Sequence, residues 1–75
     1  MNMNDIRQLD EARPFRSFIL HLADGRNVKV EHPEFLAYTP GGETIVVLQT
    51  GGGFKILDHE LITEIEVMPL RSTKR

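Results

Sequence analysis

A run of four apolar residues, 45–48, stands out at the centre of the chain, inside a stretch 44–49 that lies between two glycine-rich turns. Successive side chains of a β-strand point to opposite faces, so this run predicts a strand that is apolar on both faces. A chain of 75 residues has little material to cover both of them. We therefore expect either the N-terminal segment or another protein chain to cover the second face.

A β-hairpin is predicted upstream of this run. Every second residue from Phe18 to Leu22 is apolar, and the valines of the returning arm, Val28 and Val30, keep the same spacing. The Asp-Gly pair at 24 and 25 favours a tight turn with positive φ between the two arms. Both arms place their apolar residues on one face, and this fixes the register of the pairing.

The N-terminal segment has the spacing of a short amphipathic helix. Met3, Ile6 and Leu9 are three residues apart and form a narrow apolar stripe, which predicts a helix over residues 4–12 with Asn4 as its N-cap. Pro14 ends the element, because proline disfavours helical geometry in the residue before it. A nine-residue helix is marginal in isolation, so we expect it to dock on the rest of the chain.

The remaining segments predict short strands that are separated by turns. Pro33 followed by Glu34 predicts one helical turn after the hairpin. The strand that returns from the central run is expected to place Phe54 and Ile56 inward, and Pro69 ends the last strand. The predicted extended segments are 37–39, 44–49, 54–57 and 62–68, and the total is five or six strands, depending on whether 37–39 is a separate strand.

Strands at spacings near ten residues, joined by glycine turns, indicate a small barrel or sandwich. We predict a mainly β single domain over residues 1–75, with the helix at 4–12, a barrel at 15–68 and a basic tail at 69–75. A closed barrel leaves no unpaired strand edge, and the helix can cap one of its open ends.

Charge and composition narrow the classes of partner. The chain has a net charge of −2, and residues 15–67 hold four basic against eight acidic side chains, a local net charge of −4. Nucleic-acid binding needs clustered lysine and arginine, so a nucleic-acid partner is not expected. There is no cysteine, no apolar stretch long enough for a membrane span, and no signal-peptide pattern. We expect a cytoplasmic protein without a membrane partner.

The order of elements resembles the SH3-like small barrel in its Sm-like form. The resemblance covers residues 4–68: a helix, a strand that runs into Asp24-Gly25-Arg26, two central strands, and a short turn before the last strand. It implies assembly into rings through strand pairing between subunits and, for many members, RNA binding. The second-strand glycine and the RNA-contacting motifs of that family are absent, so no RNA-binding residue is implied. The chain is also similar to short uncharacterised bacterial proteins that share its Arg13-Pro14-Phe15 start and 30–35 centre, which implies no activity.

Candidate catalytic and metal-binding side chains are few. Ser17 and Ser72 lack the sharp turn that exposes a nucleophile, and the glycines 51–53 lack the lysine and helix of a phosphate loop. His32 and His59 lie in connections that also carry carboxylates, whereas a metal site needs three or four converging ligands. If the barrel has five strands, the connections that carry His32 and His59 would lie on the same rim of the barrel. If it has six, the two connections can lie apart. We predict no cofactor and no enzymatic activity.

The function predicted from these patterns is a non-enzymatic interaction or self-assembly module, with a protein or a second copy of the chain as its partner. Aromatic residues near breaks in the pattern can serve as interface anchors, or they can fill the ends of the barrel. The alternatives are an Sm-like RNA-binding ring and a small metal or acid/base site around His32 and His59. The predicted interface residues are Phe15, Phe35, Tyr38, Ile45 and Val47.

Overall fold

A computed structural model of the chain describes residues 2–69, and residues 70–75 of the predicted basic tail lie outside this range. The described residues form one α-helix and six β-strands in two antiparallel three-stranded sheets, so the prediction of a mainly β domain is confirmed. Two 3₁₀ turns, Pro33–Phe35 and His59–Leu61, precede the third and sixth strands. The elements are α1 Met3–Glu11, β1 Phe18–Leu22, β2 Asn27–Val30, β3 Leu36–Tyr38, β4 Thr44–Leu48, β5 Phe54–Asp58 and β6 Ile62–Val67.

The first sheet contains the predicted hairpin and has the strand order β2-β1-β6. Phe18 lies opposite Val30 and Leu20 lies opposite Val28, which is the register that places their apolar side chains on one face. Gly25 has φ of +93° in the turn between the two strands. The last strand, β6, pairs with the other side of β1, so the first and last strands of the chain are neighbours.

The second sheet has the strand order β3-β4-β5. Its first member is a separate strand, so the structure has six strands rather than five. No backbone ladder joins the two sheets within residues 2–69, and the closed barrel is therefore not confirmed.

One apolar core lies between the sheets and the helix. Every fully buried side chain in residues 2–69 is apolar, and none is polar or charged. The core receives one residue from α1 and at least one from each strand. Its members are Ile6, Phe18, Leu20, Leu22, Val28, Val30, Leu36, Ile45, Val47, Leu57 and Ile62.

The helix begins earlier than the sequence predicts. Its N-cap is Asn2 rather than Asn4, because the Oδ1 of Asn2 accepts a hydrogen bond from the backbone N of Asn4 at 2.8 Å. The predicted apolar stripe is confirmed. Ile6 is completely buried, and Met3 and Leu9 pack against the core from either side of it.

The inward face of β5 is the opposite of the one predicted. Phe54 and Ile56 are 61% and 64% exposed, whereas Leu57 is 4% exposed. The register explains the difference, since Leu57 lies opposite Ile45, which points into the core, and Ile56 lies opposite Val46 on the outer face. Directly paired residues of an antiparallel ladder share a face, so the pairing with β4 decides which side of β5 is buried.

The central strand β4 is covered on one face only. Ile45 and Val47 are completely buried, Val46 is half-buried, and Leu48 is 43% exposed. Because Ile6 of α1 joins the same core as Ile45 and Val47, the helix lies on the inner side of the sheet. Of the two predicted covers for the second face of β4, the N-terminal segment is therefore wrong, and cover by another protein chain stays a prediction.

Candidate functional site

An exposed apolar surface lies on the outer face of the second sheet. It consists of Val46 and Leu48 from β4 with Phe54 and Ile56 from β5, and we call these four residues the outer stripe. Val46 lies opposite Ile56 and Leu48 lies opposite Phe54, so the four side chains form two adjacent cross-strand pairs. Contiguous exposed apolar residues of this kind are typical of interaction sites, whereas scattered single ones need no explanation.

The strand that carries half of this stripe also has an open backbone edge. In the described part of the chain β5 pairs with β4 alone. The N of His59 donates to the O of Glu43 at 3.2 Å and the N of Gln49 donates to the O of Gly53 at 3.1 Å. Bonding alternates along an antiparallel ladder, so Lys55 and Leu57 also bond to β4. The backbone groups of the even-numbered residues, Phe54, Ile56 and Asp58, therefore point to the open edge.

The predicted interface residues do not coincide with this surface. Ile45 and Val47 have no exposed area to offer a partner, because the chain's own core already buries them. Phe15, Phe35 and Tyr38 are half-buried, and Phe15 and Tyr38 pack against the core. The sequence did contain a signal for the outer stripe. In the same apolar run, Val46 and Leu48 alternate with the buried Ile45 and Val47 and so point to the opposite face.

A cleft of about 540 Å³ lies where β1 begins and β2 ends. The Nε of Arg16, one of its lining residues, donates to the O of Met68 at 3.2 Å, which ties the start of β1 to the end of β6. No pattern in the sequence indicates this group, since its members come from three separate segments. The lining residues are Phe15, Arg16, Ser17, Lys29, Glu31, His32 and Pro69, and we call this site the β1–β2 cleft.

A second groove, of about 530 Å³, separates α1 from β6. Its walls are mainly apolar, and it contains one titratable side chain, that of Asp5. Such a groove has few polar groups to orient a ligand. The lining residues are Asp5, Gln8, Leu9, Ile65 and Val67.

The two histidines of the proposed metal site have separate surroundings. The Nδ1 of His59 lies 3.5 Å from the O of Glu43 and 3.6 Å from the Oδ1 of Asp58. The ring of His32 packs edge-on against Phe35, with the ring centres 4.8 Å apart. Within residues 2–69 no group of three or more histidine, cysteine, aspartate or glutamate side chains is placed to hold a metal ion. The described residues therefore give the metal alternative no ligand set, and the acid/base alternative stays a prediction.

The third histidine bridges the first sheet on its outer face. The Nδ1 of His21 lies 2.8 Å from the Oδ1 of Asn27, and its Nε2 lies 3.0 Å from the Oε1 of Glu66. An imidazole donates from both nitrogens only when it is protonated. The hydrogen bond to Glu66 raises the pKa of His21 above its ordinary 6.5, and the contact with Asn27 acts in the same direction.

This bridge predicts a pH-dependent stability. Because the folded-state pKa of His21 is raised, its contribution is complete below about pH 6.5 and is lost as the pH rises through the folded-state pKa. Urea denaturation at a series of pH values between about 6 and 9 should show the unfolding free energy falling across this range. His21→Gln and Glu66→Gln should each flatten the fall, and an equal fall in all three proteins would assign it to other groups.

Comparison of the chain with protein-family models, with curated proteins and with solved structures found no match. Among the described residues, no helix is long and apolar enough to cross a membrane. Among the surfaces of the described residues, the outer stripe with the open edge of β5 is the strongest candidate for a functional site.

Proposed function

We propose that this chain is a non-enzymatic self-assembly module in which a second copy pairs with β5 and joins the outer stripes of the two copies side by side. The observation that carries the proposal is the exposure of Phe54 and Ile56, 61% and 64%, on a strand whose backbone edge is open. Strand addition combines main-chain hydrogen bonds with burial of alternate side chains, and β5 offers both. A long apolar edge strand is otherwise a site of uncontrolled aggregation.

The backbone geometry defines one symmetric register. An antiparallel pair with its two-fold axis at Ile56 joins the outward-pointing backbone groups of the even-numbered residues, with Phe54 opposite the partner's Asp58. This register pairs all five residues of β5. If the two-fold axis lay one residue earlier, at Lys55, the pairing would instead place Lys55 opposite the partner's Lys55. Like charges directly opposite each other are destabilising. The paired sheets would form one six-stranded sheet with a continuous apolar outer face.

Charge also favours β5 over β6, which is one of the two edge strands of the other sheet. Strand β5 carries one basic and one acidic side chain, Lys55 and Asp58. Strand β6 presents Glu64 and Glu66, so two copies meeting at β6 would bring carboxylates together. A second copy therefore fits β5 better than β6.

A more specific version of this proposal is an Sm-like barrel that assembles into a ring. It is supported by the N-terminal helix, the adjacency of β1 and β6, and the 3₁₀ turn before β6. A ring joins two different edges of neighbouring subunits and has more than two of them, whereas the symmetric register closes with two copies. The mass of the assembly in solution therefore distinguishes the two forms. RNA binding is not part of the proposal, because acidic side chains outnumber basic ones two to one in residues 15–67.

The Ile56→Asp variant should abolish self-association without unfolding the chain. Ile56 is mostly exposed in the single chain, so the substitution costs little stability there, whereas in the pair it would place two carboxylates at the axis. Sedimentation equilibrium over a wide concentration range should show dimers for the natural sequence. The variant should dissociate at least about 30-fold more readily.

Leu61→Asp is the control, because Leu61 is 43% exposed and lies outside the outer stripe. It should associate as the natural sequence does. A natural chain that sediments as a monomer at the highest concentration reached would overturn the proposal. Equal weakening by both substitutions would show that association is not specific to β5.

A further inference from the structure

We propose that the β1–β2 cleft binds a small organic phosphate monoester, a molecule that carries one terminal phosphate on an apolar or aromatic group. The cleft lies on the first sheet and shares no residue with the outer stripe, so this site is independent of self-assembly. Its volume of about 540 Å³ falls in the range of small-molecule sites. Two of the four basic residues of the acidic segment 15–67, Arg16 and Lys29, line it.

The guanidinium of Arg16 is held in place and still has donors to offer. Its Nε donates to the O of Met68 at 3.2 Å, which restrains the orientation of the group. Its two terminal nitrogens have no hydrogen-bond partner among residues 2–69. A guanidinium whose two terminal nitrogens are both unused matches the geometry of a phosphate group, which accepts paired hydrogen bonds.

Three further polar groups of the lining are available to a ligand. Lys29 makes one ion pair, a long one of 3.7 Å between its Nζ and the Oε2 of Glu31. The hydroxyl of Ser17 and the ring nitrogens of His32 have no hydrogen-bond partner in the described part of the chain. Packing against Phe35 at 4.8 Å orients the ring of His32. A phosphate monoester has three terminal oxygens and up to two negative charges, so it can engage several of these donors at once.

The aromatic wall of the cleft accounts for the organic part of the ligand. Phe15 is half-buried, and its ring packs against Phe18 with the ring centres 6.0 Å apart. Because Phe18 is completely buried, the wall that Phe15 forms is anchored to the core. A flat apolar group on the phosphate can stack on this wall, whereas inorganic phosphate cannot use it.

Among the described lining residues Glu31 is the one acidic side chain. Its substitution should change ligand affinity in the direction opposite to the substitution of Arg16. Its carboxylate accepts a hydrogen bond from the Oγ1 of Thr50 at 2.5 Å and lies beside Lys29. The hydrogen bond from Thr50, followed by the charge of Lys29, lowers the pKa of Glu31, so it remains ionised at neutral pH. Removing this charge should strengthen the binding of an anion, an effect that general damage to the fold would not produce.

The experiment is an NMR titration of the full chain with phenyl phosphate, followed through the backbone amides. Saturable shifts are expected in residues 15–17 and 29–32, with a dissociation constant on the order of 1 mM, and inorganic phosphate should bind more weakly. Arg16→Gln should weaken phenyl phosphate binding about tenfold, and Glu31→Gln should strengthen it several-fold. Arg26→Gln is the matched control, because Arg26 is paired with Asp24 at 2.8 Å in the hairpin turn and should have no effect.

Three results would overturn the proposal. The first is the absence of saturable shifts in the cleft, and the second is equal weakening by Arg16→Gln and Arg26→Gln, which would indicate general charge attraction. The third is loss of binding when the basic residues after Pro69 are replaced together, as Arg71→Gln, Lys74→Gln and Arg75→Gln, because the site would then not be the cleft. Retention of binding in that triple variant supports the proposal.

Discussion

The Val47→Asp variant is expected not to fold at 25 °C. Val47 is completely buried in a core that contains no polar partner, so the new carboxylate would be unpaired. Substitutions of this kind cost more than about 4 kcal/mol, and the single core of a chain of this length supplies about 3 to 5 kcal/mol. Circular dichroism and the amide spectrum by NMR should both show an unfolded chain.

The neighbouring residue gives the control. Val46 is half-buried on the outer face, so Val46→Asp should fold, with a loss of about 1 to 2 kcal/mol in urea denaturation. Val47→Thr should fold with a measurable loss of about 1 to 3 kcal/mol, since it buries a hydroxyl without a partner. A folded Val47→Asp with nearly unchanged stability would show that this side of β4 is open to water and that the inferred core is wrong.

The Gly42→Ala variant should lose about 2 to 4 kcal/mol, the second largest effect. Gly42 is buried in the turn before β4 and has φ of +77°, a conformation that costs an alanine about 1 to 2 kcal/mol. A Cβ at this position would also lie 2.4 Å from the Cγ of Met3, so the Met3 side chain or α1 itself would have to move. The urea midpoint of the variant measures the sum of the two costs.

Gly51→Ala separates these two costs. Gly51 has φ of +96°, but nothing lies within 4 Å of a Cβ placed there, so this variant should show the backbone cost alone. Combining Gly42→Ala with Met3→Ala should recover the steric part, with a coupling of about 0.5 to 3 kcal/mol in the double-mutant cycle. Equal losses for Gly42→Ala and Gly51→Ala would mean that the helix does not rest on this turn.

The fold could be predicted from the sequence where one face of an element is clearly apolar. Apolar residues recur at every second position in both arms of the hairpin, with Ile19 as the exception, and the hairpin and its register agree with the prediction. The stripe of Met3, Ile6 and Leu9 likewise predicted the buried side of α1. The prediction failed at β5, where Phe54 and Ile56 have one parity and Leu57 has the other. Two apolar residues favour an inward position for Phe54 and Ile56 over one for Leu57. The pairing with β4 nevertheless places Leu57 opposite Ile45 and therefore inward.

The candidate sites were harder to predict because they depend on tertiary contacts. The sequence indicated that β4 is apolar on both faces. It could not tell whether α1 and the core would bury Ile45 and Val47 or Val46 and Leu48. The β1–β2 cleft brings together residues 15–17, 29–32 and 69, which only the pairing of β1 with β2 and the contact of Arg16 with Met68 place side by side. Nothing in the local pattern near Arg16 distinguishes it from an ordinary surface arginine.

The wholly apolar interior has a consequence for how sequences of this fold can diverge. Side chains without directional bonds can be exchanged for others of similar volume, so the interior places few demands on residue identity. Such demands fall instead on the bends of the chain, where Gly42 touches the helix and Pro33 begins the turn between β2 and β3. Distant relatives would therefore be recognised by the spacing of their bends more readily than by the residues they bury.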